Sequence, residues 1–134
     1  YKRLNLVTNS VDTKMVTMQN LHIVTDYLQR EEFKNPYGES RSVILSEQGF
    51  NSISGQGVQA AAFAYAYYIA EANSHIDGFL LNRQTDSHVE IAQGMAFGIN
   101  NPDGSHKQIY NVFKNIIFIK KRNSKLFSKW LYSK

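Results

Sequence analysis

The chain has 134 residues, 43% of them hydrophobic and 19% charged, a globular composition of at most one domain's length. No apolar run approaches the roughly 18 residues of a membrane span, and no basic-then-apolar leader opens the sequence. The absence of Cys excludes disulfides and thiolate metal sites.

The first residue is Tyr rather than Met, which is expected of a processed product or of a piece of a longer chain. The net charge of +4 is unevenly spread. Residues 1–106 carry 7 Lys/Arg against 11 Asp/Glu, while residues 107–134 carry 8 Lys/Arg and no acid. The basic pI near 9.3 is thus a property of the tail. A solvated helix face is the plainer account of such a tail, and nucleic acid the alternative.

In chain order, residues 1–16 have weak periodicity, with a short strand expected at Leu4–Val7. Thr17 is a suitable N-cap for a helix over 18–32, whose apolar stripe is Leu21, Val24 and Leu28 with Tyr27 beside them. Pro, Gly, Asn and Ser make 34–40 a loop. "SVILS" (42–46) is short, apolar and β-branched, the pattern of a buried strand. A loop at 51–57 leads into an Ala-rich helix over 58–72, with the stripe Val58, Ala62, Tyr65 and Ile69, and Ala61, Ala64 and Tyr68 alongside it, expected to lie close to a sheet. "IDGFLL" (76–81) reads as a second buried strand. Strand, helix and strand then span the length of a βαβ unit, which predicts a parallel pair. Residues 82–107 are polar, with a turn at 100–105. Ile109, Val112, Phe113 and Ile116 predict a helix over 107–116. Ser124 would cap a last helix carrying Leu126, Phe127, Trp130 and Leu131 on one face.

No phosphate-binding loop, dinucleotide fingerprint, zinc-protease helix or serine-hydrolase elbow occurs. "SGQG" (54–57) precedes a helix but lacks the Lys and Ser/Thr of a phosphate cradle, so a flexible loop is the better reading. Arg83, Asp86, His88 and Glu90 crowd the segment after the second strand. Asp-x-His-x-Glu offers oxygen and imidazole donors, yet a salt-bridged loop shaping a pocket accounts for it better than a metal. Glu47 follows the apolar run Ile44–Leu45. By itself it is a strand-end residue in a solvated turn. Its weight comes from position: in parallel α/β folds the C-terminal strand ends form the functional face, and two polar clusters would meet there.

The order of these features resembles the last third of (β/α)8 retaining glycoside hydrolases, the superfamily whose catalytic acids end the fourth and seventh strands. "ILSEQGFNS", "QAAAFAYAYYIAEA", "IDGFLLNRQTDSHVE" and "FGINNPDGSHKQIYNVFKN" carry the likeness over residues 12–116. More narrowly, "SEQGFNS", "YAYY" and the spaced Arg, Asp and Glu resemble an uncharacterised bacterial group, domain-of-unknown-function family 5722.

The resemblance implies an α/β fold, the C-terminal portion of a TIM barrel, over 1–116, followed by a basic amphipathic helix at 117–134. It implies hydrolysis of glycosidic bonds with retention and Glu47 as nucleophile. Gln48, Asn51, Arg83, Asp86, His88 and Glu90 would contact the substrate, with Arg83 also keeping Glu47 charged. No cofactor or metal is implied. The partners would be carbohydrate and the missing N-terminal part of the barrel, with no membrane and no nucleic acid, in a secreted, periplasmic or cell-surface setting. Two departures stand out. No aromatic residue follows the second strand, where Asn82 and Arg83 stand, and nothing corresponds to the strand bearing the general acid/base. Only one of the two carboxylates of glycoside hydrolysis is therefore expected in this chain. A carbohydrate-binding barrel without catalysis, and a small basic nucleic-acid module, are the rival readings.

Overall fold

The computed structural model describes residues 5–123, with side chains through residue 117. It contains two parallel strands, β1 (Ile44–Gln48) and β2 (Gly78–Leu81). Four α-helices accompany them among the described residues: α1 (His22–Leu28), α2 (Gln56–Ala72), α3 (His88–Ala92) and α4 (Gln108–Asn123). The chain divides into two compact units, 1–48 with 65–81 and 49–64 with 82–134.

The barrel expectation is corrected by this architecture. A (β/α)8 barrel needs each strand bonded to a neighbour on both sides until the sheet closes. Among the described residues the sheet has two strands in the order β1–β2 and is open, so this chain forms a small α/β domain. The strand–helix–strand order that suggested a barrel is fully accounted for by a single parallel pair joined through α2.

In the first unit, the sequence expected to form one helix over 18–32 is broken into three pieces. A 3-10 turn at Met18–Asn20 is capped by Thr17, whose side chain accepts from the Gln19 amide. Then come α1 and a second 3-10 turn at Glu31–Phe33. Leu6 and Val7 form no strand; instead the Leu6 carbonyl accepts from the Met15 amide. Asn20, fully buried, explains that preference. Its amide donates to the carbonyls of Thr8 (2.8 Å) and Met15 (3.1 Å), and its oxygen accepts from the Thr17 amide (2.8 Å). A buried side chain satisfied by backbone from three points fixes an irregular segment as firmly as a ladder would. Thr25 is buried likewise and accepts from Asn73 (2.9 Å) just beyond α2.

The face of α2 that packs differs from the expected one. Gln59, Ala60, Phe63, Ala66 and Ala70 are buried, while Val58, Tyr65 and Tyr68 are 57%, 55% and 70% exposed. The helix is apolar nearly all round, so its sequence leaves the buried phase open. Small Ala side chains then win the inward positions because they allow close approach. In the second unit, Phe63 packs between Phe50 and Phe113, with ring centroids 5.8 and 6.3 Å away, and Ile109 of α4 is fully buried. Helix α4 runs on to Asn123, beyond the expected end at 116. The last helix expected from Ser124 lies outside the described residues.

Candidate functional site

Strand β1 begins and ends two residues later than its sequence suggested, so Glu47 lies inside it rather than after it. Leu45 pairs with Phe79, and the next pair is Gln48 with Leu81. Three steps along β1 thus match two along β2, and β1 carries one extra residue at Ser46–Glu47. A bulge of this kind is uncommon in a parallel pair, and bulges re-aim side chains. Its effect is visible in burial. Strict alternation would put Glu47 on the face of Leu45. Instead Leu45 and Gln48 are half-buried, and Glu47 is exposed. Its carboxylate has no hydrogen bond or ion pair among the described residues. Ile44, expected to bury the strand, is itself 56% exposed, since a two-stranded sheet has too little structure to cover both faces.

The second unit holds Asn51, Arg83, Asp86, His88 and Glu90. Residues 83–86 run beside 98–100, the Ile99 amide donating to the Arg83 carbonyl (3.1 Å) and the Asp86 amide to the Asn100 carbonyl (3.0 Å). Gly98 permits that approach. A Cβ there would sit 2.8 Å from the Asn100 carbonyl oxygen and closer still to the Asp86 amide nitrogen. The Asn82–Arg83 peptide is cis.

Asp86 is turned inward, its side chain 2% exposed, and it forms an ion pair with the equally buried Lys107. Its other oxygen accepts from the Gly98 amide (2.6 Å). Lys107 Nζ also donates to Ser52 Oγ (2.9 Å). Gln59 completes this knot by donating to the carbonyls of Phe50 (2.8 Å) and Gly98 (3.0 Å), its own oxygen being buried without a partner. Asn51 is engaged too: it donates to the Gly94 carbonyl (2.6 Å) and accepts from the amides of Ile53 and Ala96.

Arg83 and Glu90 form an ion pair with side chains 40% and 34% exposed. His88 opens α3 with its ring exposed and without a hydrogen-bond partner among the described residues. Of the residues singled out from the sequence, Arg83 and Glu90 are brought together directly, whereas Asp86 is given to Lys107. Lys107, Ser52 and Gln59 were missed. The available signal was Gln59 at the i−4 position of Phe63 in an Ala-rich helix, and Lys107 at the entry to α4, two residues before the apolar stripe begins at Ile109. No group of three or more His, Asp or Glu among the described residues is arranged to hold a metal ion, and none of the described helices is long and apolar enough to cross a membrane.

Set against known proteins, residues 1–130 match the model of a family of unknown function (DUF5722). No curated protein and no solved structure matches.

Proposed function

For a chain that belongs to the DUF5722 family of unknown function, we propose action on carbohydrate: hydrolysis of glycosidic bonds with retention, Glu47 being the nucleophile. The observation that carries this reading is the β1 bulge, which turns Glu47 outward from a hydrogen-bonded strand and leaves its carboxylate without an internal partner. The other carboxylates named in the sequence are engaged, Asp86 by Lys107 and Glu90 by Arg83. A strand holds a reacting group more rigidly than a loop does.

Retaining hydrolysis requires a second carboxyl group roughly 5–5.5 Å from the nucleophile. We assign it to polypeptide outside these 134 residues, so turnover belongs to the assembled parent protein. Gln48, next to Glu47, is the proposed hydroxyl contact on the first unit. On the second, His88 and the Arg83–Glu90 pair present polar atoms to solvent. Asp86 and Asn51 hold the loops of that unit in place.

Glu47→Gln in the parent protein tests the reading, because it keeps the shape and removes the charge. Turnover of a glycoside that the parent cleaves is expected to vanish with folding intact. Glu47→Gly with added azide is expected to yield a glycosyl azide of inverted anomeric configuration. Wild-type turnover by Glu47→Gln would make Glu47 a solvated strand residue and the mechanism wrong. Saturable sugar binding without turnover in the wild-type parent would favour the carbohydrate-binding alternative.

A further inference from the structure

A second polar feature lies in the first unit, at the end of the sheet opposite Glu47. Where the chain enters β1 and β2, Gln29, Arg41, Ser42, Ser74, His75 and Asp77 line a groove of about 270 Å³. Its framework is tied down. The Val43 amide donates to Asp77 Oδ2 (2.9 Å), joining the two strand entries, and the His75 amide donates to Asn73 Oδ1 (3.0 Å). Arg41 Nε donates to the Phe33 carbonyl (2.8 Å), which holds the guanidinium by one nitrogen and leaves its two terminal nitrogens without a partner.

Arg41, Ser42, Ser74, His75 and Asp77 are exposed, so their free polar atoms are open to solvent or to a ligand. The side chains of Ser42, Ser74 and His75 make no hydrogen bond among the described residues. Gln29 bonds through its amide oxygen to Ser40, while its Nε2 is buried with no partner. A buried donor left unmade costs more than a made bond contributes, so such groups normally meet a ligand or water. A guanidinium, an imidazole and the hydroxyls of Ser40, Ser42 and Ser74 line the groove with one carboxylate, one oxygen of which already accepts from the Val43 amide.

We propose that this groove binds a small oxyanion, a phosphate or carboxylate group, with Arg41 as its charged anchor and the Ser42 and Ser74 hydroxyls beside it in the lining. A guanidinium presents parallel N–H groups that match two oxygens of such an anion. The Asp77 carboxylate faces the same groove and disfavours the anion by charge. The bond it accepts from Val43 directs one oxygen to the backbone.

Titration of the chain with inorganic phosphate and, separately, with acetate tests this by calorimetry, with the Gln29 side-chain amide followed by NMR. Saturable binding that shifts the Gln29 amide is expected, and the tighter anion identifies the phosphate or carboxylate source. Arg41→Gln is expected to weaken binding roughly tenfold or more, by loss of a charge-assisted contact. Lys14→Gln removes the same charge from an exposed position outside the groove and is expected to leave affinity unchanged. Ser74→Asp, at an exposed side chain, places a like charge in the groove and should abolish binding without touching the Arg41–Phe33 contact. The proposal is overturned if neither anion binds saturably, or if Arg41→Gln and Lys14→Gln weaken binding equally.

Discussion

Asp86 and Lys107 form a pair in which each side chain is 2% exposed. Desolvating two charges is expensive, and removing one partner strands the other in a poor solvent, at a cost of about 3–5 kcal/mol. Asp86→Asn and Lys107→Met are each expected to lower unfolding free energy by that order in denaturant titrations. The double variant Asp86→Asn with Lys107→Met should lose much less than the two singles together. Equal, additive losses would mean that the pair contributes nothing specific. Asp103 makes the opposite case, an exposed carboxylate. The Ser105 hydroxyl and then the Ser105 amide hold its pKa below the ordinary 3.8. A depressed folded value stabilises the turn above that pH and ceases to as pH falls through the lowered value. Amide exchange at Ser105 is therefore expected to quicken, relative to its intrinsic rate, only in acid below 3.8, and the protection is expected to be absent in Asp103→Ala.

At the scale of elements, α2 is the clearest test of what packing decides. Phe63 is 2% exposed and sits between two other Phe rings, whereas Tyr68 is 70% exposed. Truncating a buried Phe costs about 3–5 kcal/mol, and an exposed substitution stays within roughly 0.5 kcal/mol. Thermal unfolding of Phe63→Ala and Tyr68→Ala should differ accordingly; a larger loss for Tyr68→Ala would restore the face expected from the sequence. The bulge in β1 is decided at the same scale. Neither Ser46 nor Glu47 carries a sequence mark of it, because it exists only in the register against Phe79 and Leu81.

At the scale of the whole molecule, the described residues leave much apolar surface in water. Ile44, Tyr65, Tyr68 and Leu80 are 56%, 55%, 70% and 47% exposed, and each strand of the sheet has a single hydrogen-bonded neighbour. Open edges and apolar faces favour association. Sedimentation of the chain is expected to show mass increasing with concentration, and Ile44→Lys with Tyr68→Lys to reduce it. A monomer across the whole range would show that these faces are tolerated in water.

What the sequence by itself determined was the local grammar. The strand–helix–strand order, the Thr17 cap, the loop at 34–40 and the turn at 100–105 follow from short-range periodicity and turn chemistry. The order of short motifs carried the family. Tertiary structure decided the rest, because the deciding contacts join residues far apart in the chain. The Asp86 carboxylate turned inward because Lys107 and the Gly98 amide converge on it from separate loops, with Ser52 holding Lys107 in place. Glu47 turned outward because β2 imposes a register that β1 meets with an extra residue. The number of strands, two among the described residues rather than part of a closed eight, was not legible either. Periodicity shows that a segment is extended, but only hydrogen bonding between segments fixes how many strands share a sheet.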